Sequence, residues 1–168
     1  VTVVEKSDNV TYDAAEHSIT GYETMTADNA LYDIANVAKT PTAAWTAKGT
    51  YVGTYHVGIK AADFKNTSGN FTNVEFVIVD GTLKIDPVSD KVTVTVTENS
   101  AAVTYDGTEH SVTGYKSMTA DNTLYDVEKN VAEKPTKAWT AKGTDVGKYP
   151  VGIVSGDFCL LYTSPSPR

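Results

Sequence analysis

Cysteine is nearly missing from this chain: Cys159 is the single one in 168 residues. A disulfide framework or a thiolate metal site needs more than that, so the fold has to rest on packing. Cationic residues are scarce too, with 14 Lys and Arg against 21 Asp and Glu and a net charge of −7. That balance argues against nucleic acid and anionic membrane surfaces, which are held by clustered Lys and Arg. No apolar run has the length of a membrane-spanning helix, so membrane insertion is not expected of this stretch. Helical runs of Ala and Leu are also wanting. Thr and Val take their place, which favours strands. With no Met at position 1 and no leader pattern, Val1 is expected to be an internal position of a longer protein.

What the chain does have is itself, twice. Val10-Thr-Tyr-Asp-Ala-Ala-Glu-His-Ser-Ile-Thr-Gly-Tyr22 returns as Val103-Thr-Tyr-Asp-Gly-Thr-Glu-His-Ser-Val-Thr-Gly-Tyr115, 93 positions later. Met25-Thr-Ala-Asp-Asn29 and Leu31-Tyr-Asp33 return at the same offset. After one inserted residue, Trp45-Thr-Ala-Lys-Gly-Thr50 returns as Trp139-Thr-Ala-Lys-Gly-Thr144 at an offset of 94. Near-identity at that period means two tandem copies of one small domain. A hydrophobic fraction of 40% is enough for each copy to fold around a modest core. The expected division is a first repeat over 1–87, a linker over 88–91 and a second repeat over 92–158. Residues 159–168 match nothing in the first repeat and read as a non-native tail, like translated adaptor sequence.

The local pattern is mainly that of strands. Val92-Thr-Val-Thr-Val-Thr97 alternates with period two, as a strand with one buried face does. Ser18–Tyr22 and Trp45–Lys60 read as further strands, with Tyr55, Val57 and Ile59 on one face. Asp28 reads as a helix cap ahead of Leu31, Ile34, Ala35 and Ala38, whose spacing suggests one or two helical turns. Phe76–Val79 and Thr82–Ile85, joined by Asp80-Gly81, read as a hairpin with a type I′ turn. The second repeat stops short of a matching segment, so its core is expected to be open on one side, with unpaired strand edges.

Several of these stretches carry a resemblance. Tyr105-Asp-Gly-Thr-Glu-His-Ser-Val-Thr-Gly-Tyr115, Leu124-Tyr-Asp126, Lys142-Gly-Thr-Asp-Val-Gly-Lys-Tyr-Pro-Val-Gly-Ile153, Asn70-Phe-Thr-Asn-Val74 and Asp80-Gly-Thr-Leu-Lys-Ile85 resemble the MBG-type (mucin-binding-like) repeats of bacterial surface proteins. The resemblance implies two tandem, mainly β, β-grasp-like domains in an elongated arrangement. It also implies an extracellular place on a cell-wall-attached adhesin, with mucin or other host glycans and neighbouring repeats as partners. It carries over no catalytic residues.

Four constellations bear on chemistry. Glu16-His17 and Glu109-His110 stand beside Asp13 and Asp106, but adjacent strand residues face opposite ways and no nucleophile accompanies them. A surface or turn-packing role for these His residues is the better reading. Asp28, Asn29 and Asp33, with Asp121, Asn122 and Asp126, offer oxygen ligands of the kind Ca²⁺ takes, without the spacing of a calcium loop. Turn and cap duty explains them more simply. Trp45 and Trp139 could stack on a sugar, although large aromatics more often pack. Lys48 and Lys142 recur with Asn29 and Asn122, the residue types of an isopeptide bond. No cofactor motif is present.

The expectation is therefore a non-enzymatic adhesin repeat region serving as stalk, as weak mucin or glycan binder, or as both. A purely structural spacer and an accessory domain of a surface glycoside hydrolase are the alternatives.

Overall fold

Strands begin where the side chains alternate. Along β1 (Thr2–Glu5), Val3 and Glu5 are buried while Thr2 and Val4 are half-exposed. The structure, a computed structural model, describes residues 1–161. These are mainly β, in small sheets, and divide between Ser89 and Asp90 into two compact units.

In unit 1, β1 lies antiparallel to β4 (Tyr22–Thr26) and parallel to β9 (Val77–Val79), with Val3 opposite Met25 and Ile78. A second sheet places β10 (Thr82–Asp86) at its centre, parallel to β2 (Asp8–Thr11) and antiparallel to β7 (Gly53–His56). Two further pairs are antiparallel: β3 (His17–Thr20) with β6 (Thr46–Gly49), and β5 (Val37–Lys39) with β8 (Phe64–Asn66). Gly21, at φ 79°, makes the bend from β3 to β4 that a side chain would resist. The core gathers Val3, Val57, Ile59, Leu83 and Ile85, of which Val3 and Leu83 are 0% exposed. Burying each Leu or Ile of this kind contributes about 1.5–3 kcal/mol.

The Asp80-Gly81 hairpin is not formed. The strands on either side of that link pair with other partners in different sheets, so the link is a crossover. Gly81 is not among the glycines with positive φ, which a type I′ turn would need. Its role is close approach instead: a Cβ there would stand 2.0 Å from the Lys6 carbonyl oxygen and 2.7 Å from Glu5 Cβ.

The helical expectation also shrinks. Only Ile34–Asn36 of this stretch is helical, as a single 3₁₀ turn, and Leu31 lies outside it at 84% exposed. Its cap is Asp33, not Asp28. In unit 2 the inserted residue is absorbed at this place, converting the turn to a four-residue α-helical one, Val127–Asn130, capped by Asp126.

Unit 2 repeats part of the frame. β11 (Val94–Glu98) pairs with β13 (Tyr115–Ala120), β12 (His110–Thr113) with β15 (Thr140–Gly143), and β14 (Val131–Glu133) with β16 (Phe158–Leu160). Among the described residues nothing corresponds to β9 or β10. Ala101–Thr104 and Gly147–Pro150, which match β2 and β7 in sequence, are not in strands. Val103 and Tyr105 are 60% and 62% exposed, whereas Val10 and Tyr12 are half-buried. Cys159 and Leu160 take the places in β16 that Lys65 and Asn66 hold in β8. Leu161 N–H donates to the Asn130 carbonyl at 2.8 Å, as Thr67 N–H does to Asn36 at 2.8 Å. Of the tail expected over 159–168, residues 162–168 lie outside the described residues.

Candidate functional site

Polar side chains repeated in both units are the first place to look for chemistry. The most buried are Asp157, 0% exposed, and its match Asp63, at the end of the 3₁₀ turn Ala61–Asp63 and 1% exposed. One Asp63 carboxylate oxygen accepts the backbone N–H (3.1 Å) and hydroxyl (2.8 Å) of Thr42. The other accepts Trp45 Nε1–H at 2.9 Å and Lys60 N–H at 3.0 Å. The indole donor first, then Thr42, holds the Asp63 carboxyl at about 2, below its ordinary value of 3.8. Asp157 repeats this with Thr136, Trp139 and Val154, and it too sits at about 2, with the Val154 N–H as the largest cause. Four donors converge on each carboxylate, so it closes a turn and has little capacity left for a ligand.

Glu5 is the second. It is 2% exposed and accepts Ile59 N–H at 2.6 Å and Gly81 N–H at 2.8 Å, stitching β1 to two distant loops. Its match, Glu98, accepts Ile153 N–H at 2.7 Å.

The third is the Asp–His pair. His17 Nε2 meets Asp13 Oδ1 at 2.9 Å, and His110 Nε2 meets Asp106 Oδ1 at 3.0 Å. The neighbouring glutamates turn away to lysines, Glu16 to Lys48 at 3.7 Å and Glu109 to Lys142 at 3.6 Å. In unit 2 the Thr108 hydroxyl joins, 3.4 Å from His110 Nε2 and 2.7 Å from Asp106 Oδ1. A relay needs the carboxylate on one ring nitrogen and the nucleophile on the other. Here both lie on Nε2, and Ala15 stands where Thr108 does, so the cluster is a turn lock. Asp106 is held at about 2, chiefly by the Thr108 hydroxyl and N–H and then by His110.

The oxygen ligands considered for calcium serve the backbone. Asn29 Oδ1 accepts Leu31 N–H at 2.9 Å, Asp33 Oδ1 accepts Ala35 N–H at 2.9 Å and Asp121 Oδ1 accepts Thr93 N–H at 2.9 Å. Asn122 Oδ1 accepts Leu124 N–H, and Asp126 accepts the N–H groups of Glu128 and Lys129 and pairs with the Lys129 ammonium at 2.9 Å. Asp28 is exposed. Among the described residues no three carboxylate, imidazole or thiolate side chains converge. The lysines and asparagines considered for an isopeptide bond are thus each engaged elsewhere.

Trp45 and Trp139 are half-buried and built into ring stacks. Trp45 lies on Phe64 at 5.4 Å, which lies on Phe76 at 5.6 Å, with Tyr22 edge-on to the indole at 6.3 Å. Trp139 lies on Phe158 at 5.5 Å, with Tyr115 edge-on to both rings. Ring stacking and the N–H bond to Asp63 or Asp157 thus engage each indole inside its own unit.

No helix among the described residues is long and apolar enough to cross a membrane. Comparison of the chain with family models, with curated proteins and with solved structures returns no match.

Proposed function

We propose that this chain is a non-catalytic repeat region of a bacterial surface adhesin, in which each complete β-grasp-like unit acts as a load-bearing spacer outside the cell. The motif resemblance supports the adhesin setting. The observation that carries the spacer role is strand direction. In unit 1 the first strands, β1 and β2, run parallel to the last ones, β9 and β10. A pull on the two ends of such a unit runs along the strands and across all the bonds of a ladder together. It cannot peel them one at a time.

The repeated polar groups fit the same role, because Asp63, Glu5 and Asp13 are spent on their own unit's turns. Weak contact with mucin or other glycans is the second reading. Its best support is Tyr51, 72% exposed, yet unit 2 has Asp145 in that place, so the feature is not a repeated one. Pulling single molecules by their ends should unfold unit 1 in one sharp force peak; a low plateau without a peak would refute the spacer role. Binding to immobilised mucin above that of an unrelated acidic β domain would instead favour the binder.

A further inference from the structure

Duplication sets each exposed strand position against its own copy, and several have drifted. Glu23 on β4 corresponds to Lys116, and Lys39 on β5 to Glu133, so the charge reverses at both. On β7, Thr54 and His56 correspond to Lys148 and Pro150. The β3–β6 pair behaves differently. Its outward side chains are Glu16, just ahead of β3, then Ser18, Thr20, Thr46 and Lys48, and all five return unchanged around β12 and β15.

Their arrangement returns as well. Ser18 stands opposite Lys48 and Thr20 opposite Thr46, with the two threonine hydroxyls 3.0 Å apart. Ser111 and Lys142, then Thr113 and Thr140, repeat this, again with 3.0 Å between the hydroxyls. Ile19 and Ala47 alternate with them and turn inward, Ala47 to 1% exposed. The inward residues hold the pair to the core, and many polar side chains would serve on the other side. Nor does the ion pair fix the choice. Lys48 and Glu16 are 64% and 60% exposed and 3.7 Å apart, and Lys142 and Glu109 match them at 3.6 Å. Such pairs add little to their own unit.

With a net charge of −7, two copies of the chain repel each other at long range. A contact between copies therefore needs a patch whose charges cancel. The β3–β6 face is one, with a single Lys, a single Glu and three hydroxyls. It is also complementary to itself. Under a twofold axis, Lys48 of one copy meets Glu16 of the other, and the reverse contact forms at the same time. Hydroxyls donate and accept alike, so they can face their own kind.

We propose that the outer face of β3–β6, and its equal on β12–β15, is a docking surface for a second copy of this chain, held by reciprocal Lys–Glu pairs. Each contact is small and polar, hence weak, and the presence of the face on both units adds avidity. The inference goes beyond the spacer role and does not rest on the strand directions that carry it.

Sedimentation equilibrium of the full chain should show a reversible, concentration-dependent dimer. Reversing the lysines (Lys48→Glu with Lys142→Glu) or the glutamates (Glu16→Lys with Glu109→Lys) should each weaken it about tenfold or more, since like charges then meet. The glutamate variant makes the chain less acidic, so its loss cannot come from long-range repulsion. An equimolar mixture of the two variants should associate again. The milder pair Lys48→Gln with Lys142→Gln should also weaken the dimer, which keeps the test open if a reversed variant fails to fold. A chain that stays monomeric, a reversed variant that self-associates like the parent, or a mixture that fails to restore the dimer overturns the proposal. So does a monomer that binds immobilised mucin through these lysines, because the face would then belong to a glycan.

Discussion

Trp45 Nε1–H donates to Asp63 Oδ2 at 2.9 Å, and 94 positions on Trp139 meets Asp157 at 2.9 Å. The same bond in both units fixes where the indole points and closes the 3₁₀ turn ahead of β8 and β16. Asp63→Asn keeps the shape but turns a two-oxygen acceptor toward four donors into a mixed group. It should lower the Tm of unit 1 by roughly 10 °C, since bonds to an ionised group are among the stronger ones. A Tm within about 2 °C of the parent would show that the charge is dispensable.

Acid should act through the same carboxylates. Asp63, Asp157 and Asp106 each sit at about 2 in the folded chain, below 3.8. A depressed folded pKa gives stability that is fully present above the unfolded value and lost as pH falls through the folded one. Stability should therefore hold down to about pH 4 and fall between about pH 4 and 2. Thermal melts across that range check it, and Asp63→Asn should flatten the slope. An unchanged slope in that variant would remove Asp63 from the account.

Gly49 and Tyr55 form a pair that tolerates no methyl group. A Cβ on Gly49 would stand 2.2 Å from the Tyr55 ring, whose hydroxyl is anchored to the Tyr51 carbonyl at 2.9 Å. Gly49→Ala should cost about 1–3 kcal/mol by overpacking. In a Tyr55→Leu background it should cost clearly less, because the two residues share one contact. Additive effects in urea denaturation would contradict this.

Matched positions should differ in protection. Val10 N–H and the amides of β7 ought to exchange slowly, and Val103 and 147–149 rapidly, because among the described residues only unit 1 places a strand, β10, between them. Hydrogen exchange by NMR reads each position directly. Equal protection would mean that unit 2 is closed in solution by some other route.

Much of this was legible in the sequence, and the exceptions have physical causes. The duplication, the mainly β character and the Val57–Ile59 face followed from pattern alone. Asp80-Gly81 misled, because a glycine needed for close approach reads the same as one needed for positive φ. Strand β4 was missed since Glu23 and Thr24, both exposed, break the alternation around Tyr22 and Met25. Leu31 misled by spacing, because a 3₁₀ turn of three residues is too short to enforce helical periodicity. The roles of Glu5 and Asp63 were out of reach altogether. Their partners lie up to 76 positions away, and nothing local marks a carboxylate as buried.

The crossover at Asp80–Gly81 has a consequence for the order of events in time. β1 and β2 come first in the chain and pair with the last strands of the unit, so they emerge early and must wait for their partners. The most distant contacts close at the end, which makes folding slow for a domain of this size. Through that delay a nearly identical repeat is tethered alongside, able to offer the wrong strand. The slower the unit closes, the longer that competing copy stays within reach.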